Sequence, residues 1–342
     1  MTDFAREGDG RRGEAAPEVV VVMVTFRSRR HIRDSLEALR AALEGMSARV
    51  VIVDNASDDD SADLAQSLSP DAVIVRRIVN DGFAAGCRVG ADAVMGRRLL
   101  FINPDVVVGR TAIRQLTATA DRFPDAGIVG GRAVMADGTT TDPRSWWGRP
   151  TFWSTLCFAT GLSSVFPGSA LFDPESADGW DGRDRRVDVV SGGLMLVERA
   201  AWDLLGGFDE TFRLYGEDTD LCLRARRIGL RPRVAGDATF RHEVGGSSGS
   251  IASPERLVLM FRGKATVLRR HLPAGVRRLS TWLLVLGCGL RAFARRVRPG
   301  HRPSVDQRTW RAAWARRAEW RHGWSAGDVL EAPQGENVSR PV

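Results

Sequence analysis

Six consecutive apolar residues open the stretch VVVVMVT at 19–25, and shorter runs follow at 50–54 (VVIVD), 72–75 and 99–102 (LLFI). Each is too short for a helix and lacks the alternation of a half-wet strand, so each reads as a strand covered on both faces. The intervening segments 29–43, 57–68, 84–95 and 111–123 read as helices, the first from its apolar spacing, the second from small polar and acidic residues at its start. Strand and helix in alternation predict an α/β chain with a mostly parallel sheet and helices on both faces.

The strand 98–102 is stopped by Asn103 and Pro104 and presents Asp105 just past its carboxyl end, where ligands sit in open α/β sheets. A carboxylate there can hold a hard divalent cation, and through it a diphosphate. On this motif alone an Asp that only caps a turn is the commoner case, roughly two in three. The tips of the first two strands, Thr25–Phe26–Arg27 and Asp54–Asn55–Ala56–Ser57, are expected side by side on the same rim. Asp54 there can accept the imide N3 hydrogen of uracil or thymine; the alternative is that Asp54 and Ser57 cap the next helix. In NDGFAAGCRVG, 80–90, Gly82 and Gly86 allow close backbone approach, and the following helix offers N–H groups to phosphate. The segment is not GxGxxG, so a dinucleotide fingerprint is unsupported, and a turn with a helix packing contact stays open. GEDTDLC sets Glu217, Asp218 and Asp220 at the start of a helix over 217–228, where acidic residues also suit the helix dipole.

Beyond Gly127 the regularity weakens. A strand over 127–135 enters the Asp137–Gly138 turn, 143–180 is irregular and aromatic, and pattern resumes at 187–197. A short helix, the GGFDE turn, the 217–228 helix, a strand over 231–240 and a Gly/Ser-rich loop at 243–253 follow, with helices from 254 onward. With 342 residues, 43% hydrophobic and 27% charged, the composition is that of a globular protein with a sizeable core. Residues 1–18 read as a disordered lead-in, not a secretory signal. Four scattered cysteines predict free thiols and a cytoplasmic location.

VTF, VDNASDD, NDGFAAG, INPD, SGGLMLVERAAW, GGFDETFRLYGEDTDLCLRARRIG and RHEVGGSS occur in an order and spacing that resembles the inverting family 2 glycosyltransferases, closest to the rhamnosyltransferase-like branch, over 19–250. The resemblance implies a GT-A, Rossmann-like domain over 19–253, a nucleoside diphosphate sugar donor, UDP or dTDP, and a divalent cation, Mg2+ or Mn2+. It implies base recognition by Asp54 with Thr25, Asn55 and Ser57 near the nucleoside, Gly82 and Arg88 toward the diphosphate, and Asn103 and Asp105 in place of a DxD motif. It makes His242 the second metal ligand and Asp218 the general base, with Glu217 as the other candidate and Asp220 as an orienting or capping neighbour. Where relatives carry Asn after GFAAG, this chain has Cys87 and Arg88. The loop 243–253 is then a lid, and L-rhamnose, moved to a glycan or lipid-linked acceptor in cell-envelope polysaccharide synthesis, is the expected transfer. Rival readings are a sugar nucleotidyltransferase, which would want a Gly-rich, lysine-containing loop where TFRSRRHI stands, and a non-catalytic nucleotide-sugar-binding scaffold.

Charge is concentrated in the extension 254–342: between Glu255 and Leu330 there are seventeen Arg or Lys against four Asp or Glu, although the chain's net charge is only +7. The apolar run 279–290 is too short to span a bilayer. Arg277, Arg278, Arg291, Arg295 and Arg296 flank it, and Trp310, Trp314, Trp320 and Trp324 fall on one helical arc. Arg and Trp together suit peripheral contact with the inner face of a membrane through 277–324; packing on the body or a homo-oligomer contact is the equal alternative. No nucleic-acid module accompanies the charge. Removal of the chain after Arg270 is expected to leave nucleotide binding intact.

Overall fold

The computed structural model describes residues 16–142, 145–176, 183–242, 253–293 and 305–328. Most of the lead-in, the proposed lid, Trp180, Arg295 and Arg296 lie outside them.

The amino-terminal half alternates as expected, with one added short strand, β5: β1 (Val19–Thr25), α1 (Ile32–Leu43), β2 (Ala48–Asp54), α2 (Ser61–Leu68), β3 (Val73–Arg76), α3 (Phe83–Ala93), β4 (Arg98–Ile102), β5 (Val106–Val108), α4 (Ala112–Arg122) and β6 (Ile128–Ala133). Then come β7 (Trp146–Trp147), α5 (Phe152–Thr160), α6 (Leu162–Val165), β8 (Arg185–Arg186), β9 (Val189–Val190), β10 (Leu194–Glu198), α7 (Arg199–Leu205), α8 (Glu217–Arg227) and β11 (Arg233–His242). Four helices close the chain: α9 (Pro254–His271), α10 (Ala274–Phe293), α11 (Gln307–Ala315) and α12 (Arg317–Trp320).

The main sheet runs β3-β2-β1-β4-β10-β6-β11-β5, with β8 on β11. β3, β2, β1 and β4 are parallel, whereas β10 lies antiparallel between β4 and β6. Alternation along each strand sorts the core in two. Val19, Val21, Met23, Ile52 and Leu100 meet α1, α2 and α4, while Val20, Val22, Val51, Val53 and Phe101 meet α3, α7 and α8.

Two expectations need correction. The stretch 143–180 is not wholly irregular: Thr151 and Ser154 form a reciprocal capping box, Gly161 ends the helix in the left-handed conformation, and α5 lies between them. The single run 187–197 is two strands separated by Ser191, Gly192 and Gly193, a break that proves central to the site.

In the extension, Trp320 stacks on Phe261 with ring centroids 4.7 Å apart, Trp310 lies against Phe158 and Phe261, and Trp314 meets Phe293. Trp324 is buried with Phe212 and Leu223 of the body. The four tryptophans therefore take the packing alternative, because their indoles pack among α9, α10 and α11 and against Phe212 and Leu223; they do not form an outer membrane-facing arc. Among the described residues no helix is long and apolar enough to cross a membrane.

Candidate active site

The register pairs Thr25 with Asp54, so the tips of β1 and β2 meet as expected. Thr25 Oγ1 donates to Asp54 Oδ1 at 3.0 Å and the Ser57 N–H to Oδ2 at 3.0 Å. Each carboxylate oxygen keeps acceptor capacity for a further donor. Ser57 Oγ accepts the Arg27 N–H at 3.0 Å, and since α2 starts only at Ser61, Ser57 laces two strand tips and does not cap that helix. Arg27 and Ala56, at φ 51° and 60°, hold left-handed backbone on both tips, a strain that such rims concentrate.

Asn55 is buried and braces the next loop: its Nδ2 donates to the Gly82 carbonyl at 3.0 Å, and its Oδ1 accepts from Arg77 at 3.2 Å. A Cβ on Gly82, at φ 97°, would overlap the Arg213 carbonyl, and one on Gly86 would strike Val24. Both glycines therefore answer a steric demand of their own, Gly82 at a turn and Gly86 in close helix packing. Arg88 donates to Glu210 and to the carbonyls of Gly206 (2.7 Å) and Phe208 (3.1 Å), which commits its guanidinium to the GGFDE turn.

At the end of β4 the Asn103 N–H donates to the Gly193 carbonyl at 3.1 Å, and β5 turns back to pair with β11 so that His242 lies opposite Val106. His242 Nδ1 comes 3.6 Å from Asp105 Oδ1. Burial pushes the Asp105 carboxyl up, but the His242 ring, the Asp105 backbone N–H and His31 outweigh it and hold the carboxyl below its usual range. A carboxylate and an imidazole converging, both partly exposed, fit a hard-to-borderline cation such as Mg2+ or Mn2+. Among the described residues no third His, Cys, Asp or Glu joins them, so such a cation would complete its shell with water and substrate oxygens.

The Ser191–Gly193 turn joins this pair to the acidic helix. The Gly192 N–H donates to Asp218 Oδ2 at 3.1 Å, while Thr219 N–H and Oγ1 donate to Oδ1 at 2.6 and 3.3 Å. A Cβ on Gly193 would press the His242 ring at 3.1 Å. Burial raises the Asp218 carboxyl despite these hydrogen bonds. Glu217 is only 6% exposed, its Oε2 has no hydrogen-bond partner, and burial together with Asp218 pushes it up to about 8. Asp220 is different. Burial raises it, yet His271, whose Nε2 lies 2.8 Å from Oδ1, and Arg224, at 2.7 Å from Oδ2, pull it below its usual range. Asp220 ties α8 to α9 and turns away from Asp218.

Sequence reasoning missed Gly192, Gly193 and Tyr215. Tyr215, the single tyrosine, holds φ 65° immediately before Gly216 at φ 98°, and a Cβ on Gly263 of α9 would overlap its carbonyl. Burial raises its phenol, Arg256 of α9 opposes this by hydrogen bond and charge, and the charges of Glu217 and Asp105 reach it. A bulky residue directly before the glycine that opens an acidic helix was the available signal.

A sheet with strand tips β1, β2 and β4 on one rim, an acid-ended turn after β4 and an antiparallel β10 beside it defines a GT-A fold. Residues 20–178, just under half of the chain, match the sequence model of glycosyl transferase family 2. It is 25% identical over 218 residues to a low-salt glycan biosynthesis hexosyltransferase of Haloferax volcanii, covering 62% of this chain and 63% of that protein. Over 240 residues it is 27% identical to the N-acetylglucosaminyl-diphospho-decaprenol L-rhamnosyltransferase of Mycobacterium tuberculosis, covering 67% and 77%. The fold resembles that of a mannosyltransferase from Pyrobaculum calidifontis solved with GDP-Man and Mn2+, with TM-score 0.56, 15% identity and coverage of 90% and 88%.

Proposed function

We propose that the chain is a metal-dependent inverting glycosyltransferase that moves a sugar, L-rhamnose, from a UDP or dTDP donor to a hydroxyl of a glycan or lipid-linked acceptor. The observation that carries the reading is the Ser191–Gly193 turn, which touches Asp218 through one glycine and Asn103 and His242 through the next. Asp54 and Thr25 receive the nucleoside on the same rim. Asp105 and His242 would hold the cation, which when bound neutralises charge on the departing diphosphate. Asp218, held by Gly192 and Thr219 and raised by burial, takes the proton of the acceptor hydroxyl as that oxygen attacks the anomeric carbon. One base and no protein nucleophile give a single displacement, hence inversion. The rhamnosyl donor and lipid-linked acceptor are supported by the mycobacterial relative's named activity, and the extension's exposed Leu279, Trp282, Leu290 and Phe293 support contact with a membrane surface.

Asp218→Asn keeps shape but cannot accept the proton, and transfer should fall by about 10² to 10⁴. Single-turnover transfer measured beside donor titration tests this: donor affinity should stay within about twofold, and near-normal transfer would remove Asp218 from the role.

A further inference from the structure

Outside the active site the described residues form a half-open recess of about 640 Å3 between the end of α9, the first turns of α10 and the turn after α12. That volume is in the range of small-ligand sites. Its wall carries Arg269, Arg270, Arg277, Arg278 and Arg321 and no acidic residue. Arg270 is paired with Asp209, and Arg269 donates to the His322 carbonyl. Arg277 and Arg278 have no carboxylate partner among the described residues, and Arg321 spends one N–H on the His322 ring at 2.9 Å. With Arg270 neutralised by Asp209, four guanidinium charges without a carboxylate partner among the described residues share one space and repel one another unless an anion enters, and guanidinium groups match phosphate oxygens in fork geometry.

The mouth of the cavity shows where that anion comes from. Trp282 lines it and is 58% exposed. On the same face of α10, at spacings of three or four residues, stand Leu279, Leu286, Leu290 and Phe293; Phe293 is 62% exposed. Val165 and Phe166, also exposed, follow Ser164, whose hydroxyl accepts from Arg291 of α10 at 3.1 Å. An apolar stripe of this size beside a basic recess is what an amphipathic helix lying in a bilayer interface presents, side chains among acyl chains and arginines at headgroup depth.

We propose that this cavity is a binding site for the phosphate headgroup of an anionic membrane lipid, filled as the outer stripe of α10 enters the interface. This rests on the reading that the extension meets a membrane and goes further by assigning the residues that hold the lipid phosphate. The site is coupled to the catalytic helix through the residue after Arg270: His271 hydrogen-bonds Asp220, two positions beyond Asp218.

The test uses the full chain with three probes: phosphatidylglycerol vesicles, phosphatidylcholine vesicles, and inorganic pyrophosphate in solution. The variants are the Arg277→Gln/Arg278→Gln double substitution and Trp282→Ser, on exposed positions remote from the donor. Expected are co-sedimentation with the anionic vesicles only, and roughly tenfold or greater weakening in the double variant, from two lost headgroup-depth charges. UDP titration should be unchanged in both variants. Vesicle binding that is lost in Trp282→Ser but untouched in the double variant would overturn the cavity while leaving the membrane reading intact. No binding to either vesicle would overturn both. Stabilisation by pyrophosphate that the double variant loses, without vesicle binding, would make the site one for a free phosphate compound and overturn the lipid source.

Discussion

Glu217 and Asp218 are adjacent in the chain and meet opposite surroundings. Asp218 accepts from Gly192 and Thr219, whereas Glu217 has Oε2 buried without a partner, so burial and its neighbour's charge raise Glu217 to about 8. This has a sign for stability. A carboxyl raised in the folded state binds more protons there than in the unfolded chain, so its contribution is fully present below its unfolded value near 4.5 and is lost as pH rises to about 8. Glu217→Gln cannot titrate. The stability of this variant relative to the parent should therefore grow by about 1–3 kcal/mol between pH 5 and pH 8. Denaturant unfolding at several pH values checks it, and parallel profiles for the two proteins would show that Glu217 is ionised throughout. At this scale the sequence was informative about residue type and less so about environment. GEDTDLC announced three carboxylates, but only the fold sends Asp220 to His271 and leaves Glu217 dry.

Among the elements, α8 and α9 are joined most closely where Gly263 faces Tyr215. A Cβ on Gly263 would overlap the Tyr215 carbonyl, and Gly216, at φ 98°, cannot easily yield. Gly263→Ala should destabilise by about 1–2 kcal/mol, overpacking outweighing the helix-propensity gain of up to about 1 kcal/mol. Gly275→Ala in α10, with open space around its Cα, should show the gain alone. Thermal unfolding of both compares them directly; equal shifts would mean that α9 simply moves away. Apart from the three-residue β5, the strands and helices up to α4 were legible because each is an unbroken apolar or helically spaced run on a sheet covered from both sides. What was not legible depends on partners distant in sequence. The break at Gly192–Gly193 is invisible inside an apolar run, since its reason is the His242 ring and Asp218. The helix α5 is apolar nearly all round because it is held between the body and α10, so no amphipathic stripe marks it, and its local signals were the Thr151–Ser154 box and Gly161, which the aromatic run masked. The Gly82 and Gly86 spacing left packing as the commoner reading, and the demand itself, set by the Arg213 carbonyl and Val24, comes from partners the spacing does not name.

For the whole molecule, the extension behaves as part of the body's support. Its helices share a core in which Leu257, Phe261, Leu268, Leu284, Cys288 and Trp320 are buried. They are tied to the body by His271 to Asp220, Lys264 to Glu175 at 2.8 Å and Arg291 to the Phe158 carbonyl at 2.7 Å. Trp324 closes the apolar contact with Phe212 and Leu223, the latter on α8. Truncating one buried aromatic costs about 3–5 kcal/mol, so losing α10 to α12 approaches the 5–15 kcal/mol that stabilises a typical domain. Deletion after Arg270, which from sequence alone is expected to spare nucleotide binding, should instead yield a chain that aggregates or unfolds at least 10 °C lower, with donor binding lost alongside. Leu279→Ser, on the outer face of α10, should change stability by no more than about 0.5 kcal/mol, because the side chain already meets solvent. Calorimetry and UDP titration of the two variants separate the cases: a truncated chain that melts cooperatively near the parent temperature and binds donor would make the boundary at 254 a true seam between independent units.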